Sequence, residues 1–174
     1  LSLNQQCENG TFNNLKIITM DYSVILSIIS FLVFTGYILY IAFRYGITES
    51  ISKSYYKLKG KWLFTIVLWG FSLPLMIAAA KPFIFLAGAA ICFTGAAPST
   101  SFKLEQKWHL GSSVAGIVFG ALGMWIHFGM WWIPAIQAVF TLVFILFKVK
   151  NHIWWIETLA FYLILAGILI NNLG

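Results

Sequence analysis

Six apolar runs, each bounded by polar or turn-forming residues, organise the chain. They lie near 22–43, 62–80, 83–98, 111–128, 131–147 and 153–171. Within each run the apolar positions are continuous, without the inside/outside alternation of a membrane strand, so the pattern predicts helices. A helix needs about 20 apolar residues to cross the hydrocarbon of a bilayer. The first, second and sixth runs reach that length easily; the third is short and must borrow residues from its flanks. The pattern predicts one all-α domain: a six-helix transmembrane bundle over 22–174, preceded by a polar N-terminal tail, 1–21.

The connections refine this picture. Lys81-Pro82 is short enough to make a tight turn between the second and third spans, and "HFGMWW" (127–132) does the same between the fourth and fifth. Both pairs are therefore expected as antiparallel neighbours. Pro74, inside the second span, removes a backbone donor and crowds the preceding turn, so a kink is expected there. In the stretch "GITESISKSYYKLKGK", Ile47, Ile51, Tyr55 and Leu58 recur at helical spacing, with Ser50, Lys53, Lys57 and Lys61 mostly away from them. That pattern predicts a short amphipathic helix lying in the headgroup layer. Small residues form two stripes: Gly88, Cys92 and Ala96 on the third span, and Ser112, Gly116 and Gly120 on the fourth. Such stripes let helix backbones approach closely. Packing of the third span on the fourth is the expected use; self-association through Gly88, Cys92, Gly116 and Gly120 is the alternative.

Composition places the chain in a membrane. It is 60% hydrophobic and only 9% charged, with mean hydropathy +0.87, against about 25% charged residues in a soluble domain. Eight Trp, seven Tyr and sixteen Phe suit interfacial aromatic belts. The net charge of +6 does not point to nucleic acid, because of where the charge sits. Nine of the eleven basic residues fall in three alternate loops: Arg44, Lys53, Lys57, Lys59 and Lys61; Lys103 and Lys107; Lys148 and Lys150. The other side carries Lys16 and Lys81. The positive-inside rule then puts the three loops in the cytoplasm and both termini outside, in a multi-pass arrangement suited to a bacterial-type inner or plasma membrane. The first loop, Arg44 to Lys61, is the expected contact for anionic lipid. Residues 1–19 lack the charged start and apolar core of a secretory signal; they read as a mature tail or as sequence upstream of a start at Met20. Asn9-Gly10-Thr11 matches a glycosylation sequon that matters only in a eukaryotic secretory pathway. Cys7 and Cys92 offer neither a disulfide framework nor metal-ligand spacing.

Three histidines and five carboxylates are the entire acid–base stock. His109 and His127 stand at opposite ends of the fourth span, about 27 Å apart at 1.5 Å per residue, and cannot share a metal ion. No metal site or cofactor is expected. Glu105 and His109 share a helix face at i,i+4 spacing, and a carboxylate beside an imidazole is how a general base is prepared. Ser99, Thr100 and Ser101 offer a nucleophile that nothing in the sequence holds near them. The simpler expectation is an exposed interfacial pair that starts the fourth helix, anchored by Trp108. Glu157 sits about one turn into the sixth span, close in sequence to Lys148, Lys150 and His152, so a snorkelled ion pair is expected. Gln137 is the only amide well inside a span and is expected to bond a neighbouring helix. The middle of the membrane holds no Asp, Glu, Lys or Arg, which argues against a proton relay or an ion-coupled pump.

From Gly95 to Phe119, "GAAPSTSFKLEQKWHLGSSVAGIVF", the chain resembles small multi-pass membrane proteins of unknown function, and DRAM-like six-helix proteins have a similar layout. The resemblance implies that Pro98, Glu105 and His109 are motif positions; it implies no activity. The leading expectation is an integral membrane protein of structural or accessory type, whose basic cytoplasmic face contacts anionic lipid or a partner. A membrane-embedded lipid-acting enzyme using His109 and Glu105 is the first alternative, and a small oligomeric channel or carrier the second. The residues lean against an enzyme without deciding the matter.

Overall fold

In the computed structural model the backbone is described for residues 3–96 and 102–173, and the side chains for 22–96, 108–109 and 111–173. Among the described residues seven α-helices appear: α1 (Leu3–Tyr45), α2 (Ile51–Ser54), α3 (Trp62–Ala79), α4 (Pro82–Ala96), α5 (Phe102–Phe128), α6 (Trp132–Leu146) and α7 (His152–Leu173). A single 3-10 turn, Tyr55–Lys57, continues α2. No strand occurs among the described residues. The helix α1 is continuous across 21/22, and the part of it long and apolar enough to span begins at Tyr22.

Four helical stretches are long and apolar enough to cross a membrane: Tyr22–Tyr45, Trp62–Ala79, Gly111–Phe128 and His152–Leu173. The helices α4 and α6 have 15 residues each, about 22 Å of rise, short of the ~30 Å hydrocarbon thickness. The helix ends follow from local chemistry. Ala80 takes a left-handed conformation (φ 47°) and closes α3, its N–H reaching Met76 O at 3.1 Å. Pro82 then opens α4, where its missing donor costs nothing. At the end of α5, Gly129 supplies the positive φ (67°) that turns the chain into α6.

The helix α7 is central. It packs on α1, α3, α5 and α6, while α3 bridges α1 to α4, and α4 packs on α5. Residues at i, i+3, i+4 and i+7 on α7 carry this: Trp154, Thr158, Phe161, Leu165 and Ile168 are all buried. In the middle of the bundle Phe34, Phe71 and Phe161 meet from three helices, with ring centroids 5.1, 5.2 and 5.5 Å apart. Each such pair is worth about 0.5–1.5 kcal/mol beyond its buried area. Outward positions are apolar as well: Phe43, Ile77, Phe93 and Leu146 are among many large exposed side chains. A surface of that kind is at home only where lipid is the solvent.

The third and fourth spans pack on each other as expected, α4 on α5, and the stripe of α5 lies in that contact; the stripe of α4 does not. On α4, Gly88 and Cys92 face α3, where Ser72 Oγ meets Cys92 Sγ at 2.9 Å and Trp69 Nε1 donates to Cys92 O at 3.0 Å. A Cβ on Gly88 would lie 3.4 Å from Ser72 O and would collide with Met76. The face of α4 that meets α5 is instead Ala87, Ile91 and Thr94. There a Cβ on Gly116 would come 3.2 Å from Ile91 Cγ1 and 3.5 Å from Ala87 O. Gly120 lies against Ile164 of α7. All four residues proposed for self-association are used inside one chain.

Candidate functional site

The lysine-rich end of the bundle is built by the chain between α1 and α3. Gly46 (φ 76°) ends α1 and reverses the chain, its N–H still bonded to Ala42 O. Ser50, in extended conformation, caps α2 by accepting from Lys53 N at 3.1 Å. Ile51, Tyr55 and Leu58 then point into the protein and join its core, while Lys53, Lys57, Lys59 and Lys61 stay exposed. Three of the four expected apolar positions thus enter the bundle, while Ile47 stays exposed and lines a groove at the surface. The reason lies in the partners available inside. Tyr55 packs on Phe64 at 5.6 Å and beside His109 at 5.9 Å. Ser54 Oγ donates to Ile51 O, which leaves Tyr37 Oη to donate to Ser54 Oγ; both contacts are 2.5 Å.

Two helix starts cap each other here. The first N–H groups of any helix lack intrahelical acceptors. Ile51 N, at the start of α2, donates to Glu157 Oε2 at 2.6 Å. Trp154 N, at the start of α7, donates to Glu49 O at 3.1 Å. Asn151, whose positive φ of 57° suits asparagine, adds a bond from Nδ2 to Ile47 O at 2.9 Å. The loop is thereby sewn to α7 by three hydrogen bonds that span more than a hundred residues of sequence.

Behind the loop is a cavity of about 170 Å³, where Glu157 of α7 meets His109 and Ser113 of α5 and Ser50 and Ser52 of the loop. Ser52 Oγ and Ser113 Oγ are 3.2 Å apart. In front of the loop is a wider groove of about 510 Å³, lined by Tyr45, Lys57, Lys150 and Asn151 among others. Lys53 and Tyr56 border both spaces. Lys53 is also paired with Glu49, and the hydrogen bond and charge of Lys53 hold the Glu49 carboxyl below the usual carboxylate range.

The expected site residues separate into groups. His109, Glu157 and Lys53 come together at the cavity. His109 is buried (4% exposed) between Tyr55 and Phe64. The side chain of Glu105, and all of Pro98, Ser99, Thr100 and Ser101, lie outside the described residues. Trp108 is exposed at the rim. Glu157 is 8% exposed, and its partner is the Ile51 amide and not Lys148, Lys150 or His152; burial on the inward face of α7 turns it away from them. His152 starts α7 and is half-buried. Gln137 Nε2 donates to Ile156 O of α7 at 3.1 Å. Arg44, Lys59 and Lys61 are exposed, and Lys61 Nζ sits 5.0 Å from the centroid of the Tyr55 ring. His127, at the far end of α5, packs against Phe83. Among the described residues no three His, Cys, Asp or Glu side chains gather as metal ligands.

The residues that sequence reasoning passed over are Ser52, Ser54, Ser113 and Tyr37. Their signal was a set of hydroxyls at the ends of apolar helices, all on the lysine side. Comparison of the chain with protein-family models, with characterised proteins and with solved structures finds no match.

Proposed function

We propose that this is an integral membrane protein of accessory, non-enzymatic type, crossing the bilayer six times with both termini outside. Its cytoplasmic face binds the phosphate of a lipid headgroup. Four long apolar helices support the membrane reading, and α4 and α6 complete the count by drawing on flanking residues. The lysines of loops 46–61 and 147–151 lie at one end of the bundle, as an inner face requires. The closed aromatic centre of Phe34, Phe71 and Phe161 speaks against a channel. The cavity beside His109 is smaller than the ~300 Å³ that whole small ligands occupy, which favours a headgroup contact over turnover of a whole lipid.

The observation that carries the proposal is the groove, lined by Lys53, Lys57 and Lys150 with Tyr45 and Tyr56; its one carboxylate, Glu49, is paired with Lys53, so the lining is net positive. Lysines near a membrane surface contribute about 1 kcal/mol each toward anionic lipid. Neutralising the two that do not bond Glu49, Lys57→Gln with Lys150→Gln, is expected to weaken retention of phosphatidylglycerol by roughly 30-fold. Native mass spectrometry of the detergent-solubilised chain measures this. Equal retention by the double variant and the parent chain would show that the groove does not hold phosphate.

A further inference from the structure

We infer that the cavity behind the loop is an ammonium subsite, so that the headgroup held at the basic end belongs to a phospholipid with a primary amine: phosphate in the groove, ammonium against Glu157. The inference rests on the groove reading above and adds the second half of the ligand.

The first observation is Glu157. It is more than nine-tenths buried, and among the described residues its hydrogen-bond partner is the Ile51 amide, on Oε2. That leaves Oε1 as the carboxylate oxygen for a ligand in the space that Glu157 lines. Glu157, Ser52 and Ser113 line the 170 Å³ cavity and also a void of about 10 Å³ beside it; only the cavity has room for a ligand. A buried carboxylate oxygen with no donor is costly. A ligand that brings N–H donors and a positive charge removes that cost.

The second observation is the order of charges. Lys57 and Lys150 line the outer groove with Glu49, whose charge Lys53 neutralises; Glu157 lies in the inner cavity, and Lys53 and Tyr56 border both. A ligand reaching from one to the other meets a net positive groove first and the Glu157 carboxylate next. Phosphatidylglycerol can fill only the groove, because its headgroup has a phosphate and no positive end. An ethanolamine headgroup can fill both: its phosphate and ammonium are two carbons apart. Lys53 does not fill the ammonium place itself, since it is tied to Glu49.

The third observation is the lining. An alkylammonium has three donors. Glu157 Oε1 and the hydroxyl oxygens of Ser52 and Ser113 supply acceptors on the cavity wall. A trimethylated ammonium has no N–H to give them. The volume corresponds to about five or six waters at ~30 Å³ each, enough for an aminoethyl group and too little for an acyl chain.

The test is competition between two lipids with identical acyl chains, phosphatidylethanolamine and phosphatidylcholine, on the detergent-solubilised full chain by native mass spectrometry. The expected result is a preference of about tenfold for phosphatidylethanolamine, the scale of one charge-assisted hydrogen bond. Glu157→Gln keeps an acceptor for Ile51 N and so keeps the loop; it should bring the ratio close to one. Ser113→Val, which removes one acceptor on another helix, should lower the ratio as well. Lys57→Gln with Lys150→Gln should weaken both lipids and leave the ratio as it was. A ratio near one in the parent chain, or one that Glu157→Gln leaves unchanged, overturns the ammonium subsite while the lysine result still supports the groove. Failure of the lysine variant to weaken either lipid overturns the groove instead. Soluble phosphoethanolamine is the last arm: if it binds while neither lipid is retained, the site serves a free solute and the lipid assignment is overturned.

Discussion

Glu157 shows how much a single side chain can organise when its partner is a backbone donor. Its neighbours in sequence, Lys148, Lys150 and His152, suggest an ion pair; its actual contact, Ile51 N, lies 106 residues away. Nothing in the local sequence could reveal that partner, because the contact depends on how the loop after α1 folds inward. What the sequence does show is that a carboxylate inside an apolar span needs a reason to be there. The energetic consequence is specific. Glu157→Ala leaves the buried Ile51 N–H without an acceptor, which costs about 1–3 kcal/mol. Glu157→Gln retains an amide oxygen in the same place and should cost much less. Thermal unfolding in detergent separates the two, and equal midpoints for both variants would mean that the bond to Ile51 does not hold the loop.

At the scale of elements, the apolar helices were legible because a long continuous apolar run allows few other structures in lipid. Their ends were partly legible too: Lys81-Pro82 and the stretch around Gly129 are the turns that the sequence suggested. The inward fold of α2 was not, for a definite reason. Spacing of Ile51, Tyr55 and Leu58 on one face suits a membrane surface and a bundle interior equally well. Tyr37 and Glu157, from distant helices, decide between them. The small-residue stripes carried a similar ambiguity. A stripe shows that something comes close, and not which helix it is: Gly88 and Cys92 serve α3, Gly116 serves α4. This makes Gly116→Leu informative. The new side chain would press on Ile91, where even a Cβ is tight at 3.2 Å, and on the Ala87 carbonyl, which a Cβ would already touch at 3.5 Å. Overpacking costs about 1–3 kcal/mol in soluble cores, and a loss of that order is expected in the detergent melting curve. An unchanged midpoint would show that α4 and α5 can separate at little cost.

For the whole molecule, the decisive quantity is the placement of charge relative to the two ends of the bundle. Lys53, Lys57 and Lys150 cluster around the groove at one end, and Lys81 stands in the turn at the other. In a bilayer, basic loops stay on the cytoplasmic side. The same face is where anionic lipid raises the local concentration of headgroup phosphate. Orientation and ligand are thus linked: the groove meets inner-leaflet lipid only if loop 46–61 is inside. Two exposed positions report on this, Lys57 in the loop and Asn171 near the end of α7. With Cys7→Ser and Cys92→Ala as background, Lys57→Cys and Asn171→Cys can each be challenged by an impermeant thiol reagent on intact cells. Asn171→Cys is expected to react at once, and Lys57→Cys only after the membrane is opened. The reverse pattern would place the lysine groove outside the cell, away from the cytoplasmic lipid surface, and both the topology and the headgroup proposal would fall with it.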